Sequence, residues 1–263
     1  MKTKLLAAGL LASLTLTGCG GDSESAGDIT VTIAGDVTNN TAAPDTDTTP
    51  TVTGLCAAVT EASFVSFNDD CSQAVVTGTI NTDYSMASGT QYVLSGVVQV
   101  GSGNKEISSQ AEMDLIVSQG VTLTIEPGTD VRGAADGVLL VTRGSKLEAV
   151  GTAAQPITFS ILADENYDGM GEWGGVVIQG FAPQYGQGGT GACFADGESW
   201  CNILGEGGDF VQEYGGNLPA DDSGHIRYVR IAEGGLIAGP NNEINGLTLQ
   251  GVGYGTEIEY VQV

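Results

Sequence analysis

The stretch HIRYVRI, His225–Ile231, returns 32 residues later as EIEYVQV, Glu257–Val263. Val229 and Ile231 match Val261 and Val263, Tyr228 matches Tyr260, and Arg227 matches Glu259. Between the copies lies another strand-like run, INGLTL at Ile244–Leu249. Short strands that return at a period of roughly 20–50 residues build a solenoid, because one repeat alone cannot bury its apolar face. Several strands per repeat make each copy one turn of a parallel β-helix, stacked on the next at about 4.8 Å. In that register Val229 lies over Val261 and Ile231 over Val263, inside. Alternation then sends Tyr228 and Tyr260 outward, one above the other, with Arg230 over Gln262. Ile226 and Ile258 have the wrong parity to join these valines, which predicts a bend at Arg227 and Glu259 and a pairing of those two charges.

Earlier stretches repeat in the same manner. LTIEPGT (Leu123–Thr129) is echoed by LEAVGT (Leu147–Thr152), the leucines 24 apart and the Gly-Thr pairs 23 apart. Three further apolar strands, VLLV at Val138, ITFSI at Ile157 and VVIQG at Val176, begin 19 apart. The 41 glycines, with charged residues at only 15%, fit many short strands joined by tight turns. Helical spacing is seen only in SSQAEMDLIVS, Ser108–Ser118, where a helical turn is admissible.

LTIEPGTDVRG, LLVTRGSKLEAVGTAAQPITFS, GEWGGVVIQGFAP and IRYVRI with NEINGLTLQGVGYGTEIEYVQV together resemble a family of bacterial right-handed β-helix lipoproteins, over about Tyr92–Val263. The resemblance implies an all-β, right-handed parallel β-helix at the cell surface or in the periplasm, with no established activity. Members of that family continue past the YVQV strand for more turns, and an open solenoid edge invites aggregation unless capped. The chain is therefore expected to be truncated at its C-terminus.

The N-terminus carries an address. Met1–Lys4 is basic, Leu5–Leu16 is apolar, and Leu16-Thr-Gly-Cys19 follows. This is a secretory signal peptide over residues 1–18, too short for a comfortable membrane span. Leu-Thr-Gly-Cys resembles the bacterial lipobox, in which the cysteine, here Cys19, is acylated, with palmitate a typical chain. Gly at position 20, by resemblance to Gram-negative lipoproteins, favours the outer membrane. The membrane, through that lipid, is thus an expected partner.

Residues 19–53, with NNTAAPDTDTTPTVTG, lack the apolar content needed to offset the entropy of ordering and read as a disordered, flexible tether. Residues 54–90 are expected to form an N-terminal capping region, and 91–263 the β-helix, with an insertion at 181–223. In an oxidising compartment the remaining cysteines read as local disulfides, Cys56 with Cys71 and Cys193 with Cys201. Cross-pairing stays formally open, and neither C-x2-C spacing nor nearby histidines support a zinc site.

A net charge of −24 repels nucleic acid and anionic lipid headgroups and tolerates divalent cations. Asp164, Asn166 and Asp168, followed by Gly169, resemble the opening of an EF-hand loop. The twelfth position falls on Gly175 where that motif needs a bidentate glutamate. Glu172 is the remaining candidate ligand, in a looser calcium loop. The insertion interleaves acids with aromatics, and Tyr185, Trp200 and Tyr214 are its candidate carbohydrate-binding rings. A disulfide-stapled flap over the solenoid is the alternative.

Catalytic signatures are sparse. His225 is the sole histidine, and neither G-x-S-x-G nor H-E-x-x-H surrounds it. No spacing singles out a catalytic carboxylate pair. The expected function is an outer-membrane-anchored surface module, structural or binding, whose partner is a surface polysaccharide or another surface protein. Calcium is its one candidate cofactor. The alternative is a β-helix polysaccharide lyase or glycoside hydrolase, which requires a cleft lined by carboxylates and at least one Arg or Lys.

Overall fold

Among the described residues nineteen strands and one helix follow one another, and parallel pairing stacks most of the strands into coils. The computed structural model describes residues 56, 59–163, 169–184, 200–240 and 242–263, all within one compact unit, Pro50–Val263. The signal segment and tether lie outside the described residues, as do Cys19, Cys193, Asp164, Asn166, Asp168 and Tyr185.

β1 (Val65–Phe67) folds antiparallel onto β2 (Gln73–Val76), and from β2 onward the ladder is parallel. Parallel stacking thus begins at Gln73, ahead of residue 91, where the sequence placed the boundary. The Cys56–Cys71 disulfide, with Cα atoms 5.1 Å apart, ties the preceding segment to the start of this ladder. A closed loop of that size is worth about 3 kcal/mol.

β3 (Thr79–Ile80) precedes the first complete coil, formed by β4 (Tyr84–Met86), β5 (Gln91–Leu94) and β6 (Val97–Val100). An excursion carrying α1 (Gln110–Ser118) follows. Ser109 caps that helix by accepting from the Glu112 N–H, while the Glu112 carboxylate accepts from the Ser108 N–H, a reciprocal box that the S-x-x-E spacing encodes. β7 (Thr122–Ile125), β8 (Asp130–Gly133) and β9 (Val138–Val141) make the next coil, and β10 (Lys146–Val150), β11 (Ile157–Ile161) and β12 (Gly175–Gln179) the one after.

The chain leaves the coil after Gln179 through an excursion containing the small hairpin β13 (Ile203–Leu204) and β14 (Glu213–Tyr214). It returns as the long β15 (Gly224–Ile231). A second hairpin, β16 (Gly235–Gly239) with β17 (Asn242–Asn245), precedes β18 (Leu247–Gln250) and β19 (Glu257–Gln262).

Three faces result. One stacks β4, β7, β10 and the first halves of β15 and β19; a second stacks β2, β5, β8, β11 and the second half of β15. The third stacks β3, β6, β9, β12 and β18. Inward columns fill the interior: Met86, Ile125, Ala149 and Ile226 on the first face, and Ala74, Tyr92, Val131, Phe159 and Ile231 on the second, every one of them buried.

This arrangement confirms the pairing of Leu123 with Leu147, whose strands β7 and β10 are neighbours in register. It corrects the 19-residue spacing. Val138 pairs with Gly175, one coil on, whereas Ile157 belongs to a different face. That interval is the step from face to face, and three short apolar strands per coil look alike in sequence. INGLTL is also divided, Asn242–Asn245 closing a hairpin and Leu247–Gln250 pairing with Val176–Gln179.

Two buried side chains hold the excursions to the coil. Trp173 stacks on Phe159, with centroids 6.4 Å apart, and donates from its indole N–H to the Ala232 carbonyl. A Cβ on Gly133 would stand 2.5 Å from that indole, so no larger residue fits there. Arg143, fully buried in the turn after β9, donates to the carbonyls of Gly103, Lys105 and Gly215. It thereby joins a coil turn, the α1 excursion and the 181–223 insertion. Burial pushes its guanidinium down to about 10, against the opposing charge of Glu213. Beside it Phe181, Ile107, Met113 and Ile116 cluster, with Trp200 packed against them.

Candidate functional site

Outward side chains on the first face align in ladders, because register is shared by successive coils. One column runs Ser85, Thr124, Glu148, His225, Glu257. The next runs Val150, Arg227, Glu259. Their last members enclose a cleft of about 140 Å³ lined by Val150, His225, Ile226, Arg227, Glu257 and Glu259.

His225 Nδ1 lies 2.9 Å from Glu148 Oε2. This bond raises the imidazole above its ordinary value, helped by the charges of Glu148, Glu257 and Asp222 and opposed by slight burial. Arg227 Nε stands 3.4 Å from Glu259 Oε2, the predicted pair. Both cations of the cleft are therefore committed to carboxylates. Lys146, at the edge, is likewise bonded to Asp222.

The corner beside the cleft is built from Tyr228 and Tyr260. Their rings are parallel, 2° apart in tilt, with centroids 4.6 Å apart. The Arg227 guanidinium carbon lies 5.3 Å and 5.4 Å from the two centroids, within cation–π range. Tyr260 is 64% exposed. Register pairs Val229 with Val261 and Arg230 with Gln262, as the sequence predicted.

The bend does not sit at Arg227 and Glu259, which pair regularly. It sits one residue later. Tyr228 and Tyr260 have φ of 48° and 53°, left-handed values that carry the strand from the first face to the second. Ile226 and Val229 both point inward because the corner lies between them. An aromatic residue held in this region is strained by about 1–2 kcal/mol, and here it recurs on adjacent coils.

Of the other rings singled out in the sequence, Tyr214 is buried at 6% exposure, its ionisation pushed up to about 12 by burial, and Trp200 packs against the Phe181 cluster. Tyr185 lies outside the described residues. Glu172 is exposed and its N–H donates to the Glu233 carbonyl; its three companion calcium ligands lie outside the described residues. Among the described residues no group of three or more His, Cys, Asp or Glu side chains is placed to hold a metal ion. Cys201 is disulfide-bonded, while Cys193, its expected partner, lies outside the described residues.

Sequence reasoning named Arg227, Glu259 and both tyrosines but not Glu148, which is 77 residues from His225. Only the echo of LTIEPGT in LEAVGT signalled that this strand shares the face.

A family model described as a pectate-lyase-like β-helix domain matches residues 104–263. No curated protein and no solved structure matches the chain.

Proposed function

The chain belongs to the pectate-lyase-like β-helix domain family, and from that premise we propose that it is a glycan-binding surface module, wound right-handedly and held to the outer membrane by a lipid on Cys19. Family membership carries the fold and not an activity, so the function rests on the site. One observation carries it: the parallel Tyr228–Tyr260 stack next to a polar cleft that Arg227 joins to it. A sugar ring offers an apolar C–H face to an aromatic platform and hydroxyls to neighbouring polar groups. The cleft supplies both acceptors, on Glu257 and Glu259, and donors, on Arg227 and His225. The right-handed winding follows the general preference of parallel crossovers.

The test is binding of a panel of neutral oligosaccharides to the full chain by calorimetry. Tyr260→Asn is the key variant, because asparagine tolerates the left-handed backbone and removes the ring. The reading expects binding that this variant loses. Undiminished binding by the variant would sink it.

A second reading is favoured by the lining of the cleft. Carboxylates, an arginine and a histidine within one cleft are the parts that a β-helix lyase or hydrolase uses. Depolymerisation of a polysaccharide by the full chain, lost in Glu257→Gln, would establish this reading in place of the binding module.

A further inference from the structure

The N-terminal strand of the coil is seated by contacts that a second copy of the chain could supply equally well. β1 pairs antiparallel with β2, Val65 opposite Val76 and Phe67 opposite Ala74. Phe64 and Val65 are buried, and Phe64 meets Tyr84 edge-on with ring centroids 5.2 Å apart. The link between the strands is short and polar, Asn68–Ser72. Within it Cys71 holds a left-handed φ of 54°, a conformation that strains an L residue. The Cys56–Cys71 disulfide closes a loop that contains all of β1. While it is intact, Cys56 stays at the base of its own β2, its Cα 5.1 Å from that of Cys71, and β1 can reach no other.

We infer that this disulfide is a lock against strand exchange, and that its reduction by a dithiol lets two copies of the chain trade β1 and form a dimer. A thiolate of the dithiol attacks the sulfur of Cys56, which is half-buried where Cys71 is buried. Cys71 leaves as a thiolate and is protonated. The second thiol of the reagent then releases Cys56 and closes a cyclic disulfide, so the dithiol is oxidised as the protein disulfide is reduced. In the exchanged dimer residues 65–76 run on as one extended strand, antiparallel to its twin. The register is kept, with Val65 of one copy facing Val76 of the other, and each contact of β1 is remade. Only the link changes. Its bonds from the Cys71 N–H to the Asn68 carbonyl and from the Gln73 N–H to the Asn68 side chain are lost, and the strain at Cys71 is released. Asp69 and Asp70 of both copies meet at the twofold axis, which opposes exchange at low salt. Cys56 of each copy lands beside Cys71 of the other, so reoxidation makes the dimer covalent.

The test mixes equal amounts of ordinary and isotope-labelled full chain. The mixture is reduced with dithiothreitol, held at rising protein concentration in physiological salt, and reoxidised with oxidised glutathione. Disulfide-linked peptides are then mapped by mass, and the size of the protein is read by light scattering. Hybrid peptides joining Cys56 of one isotope to Cys71 of the other are expected, growing with concentration alongside a dimer mass. A sample that was never reduced should contain none. Cys56→Ser, which cannot lock, should dimerise on concentration without any dithiol. Linked peptides of a single isotope at every concentration, with a monomer mass, overturn the inference, as does a Cys56→Ser chain that stays monomeric. Hybrid Cys56–Cys56 and Cys71–Cys71 peptides as abundant as Cys56–Cys71 reveal random pairing of unfolded chains and overturn it too. Loss of the β-sheet circular dichroism on reduction does the same, because the disulfide then holds the fold itself and not the choice of partner for β1.

Discussion

Tyr228 and Tyr260 turn the same corner on successive coils, their rings parallel and 4.6 Å apart while both backbones hold a left-handed conformation. The spacing of the rings is close to that of stacked strands, so the coil repeat itself sets the stack. Arg227 sits against both rings and ties the corner to Glu259 on the neighbouring coil.

Two opposing terms meet at this corner. Ring stacking is worth about 0.5–1.5 kcal/mol, and the left-handed backbone of a tyrosine costs about 1–2 kcal/mol. Tyr260→Asn relieves part of the second as it removes the first. Its stability is therefore expected within about 1 kcal/mol of wild type, measured by urea denaturation, with secondary structure unchanged. A loss of several kcal/mol would mean that the stack holds the coil together and is not a surface feature.

His225 makes stability depend on pH in a defined direction. Its imidazole is raised by the Glu148 carboxylate, so the folded state holds the proton more tightly than the unfolded state. The contribution is complete below the ordinary histidine value of roughly 6.5. It is lost as pH rises through the raised value. With side chains 39% and 28% exposed, the pair contributes under about 1 kcal/mol. Denaturation midpoints measured between pH 5.5 and 8.5 should decline slightly for wild type, and the part of that decline due to this pair should vanish in His225→Gln. An identical profile in the variant would show that the contact is electrostatically idle.

Arg143 is fully buried and donates to three backbone carbonyls. Truncation to Ala strands the carbonyls of Gly103, Lys105 and Gly215 around an empty space, at about 1–3 kcal/mol for each buried unmet acceptor. A destabilisation of at least about 3 kcal/mol is expected, accompanied by faster amide exchange in segments 101–109 and 200–216. Faster exchange confined to the coil strands would contradict its role as the pin of the excursions.

The acidic stretch Asp164–Glu172, of which residues 164–168 lie outside the described residues, is proposed to bind calcium. If it does, added calcium raises the melting temperature of the full chain, and the double variant Asp164→Ala with Asp168→Ala abolishes the increase. A melting temperature that does not respond to calcium leaves an acidic stretch and no site.

Sequence alone determined what local spacing encodes. The HIRYVRI and EIEYVQV phrases predicted the register of β15 with β19, the Arg227–Glu259 pair and the outward tyrosines, because a two-residue side-chain period and a shared phrase leave one alignment. SSQAEMDLIVS was the one stretch with helical spacing, and α1 forms inside it, although the Ser109 cap was not foreseen. Cys56 and Cys71, only 15 residues apart, pair as the shortest loops predict. Tertiary structure decided the rest. Which face Ile157 occupies relative to Val138 depends on how many corners the intervening turns make, and short apolar strands carry no mark of their face. The excursions between coils differ in length, so Glu148 meets His225, and Arg143 meets Gly215, across separations that no spacing rule encodes. The bend fell at Tyr228, not Arg227, because a corner needs a left-handed residue, and stacking with the neighbouring coil accompanies that conformation at a tyrosine. Contacts along the axis of a β-helix are set by the stacking of whole coils, and that is a property of the folded chain rather than of any stretch of its sequence.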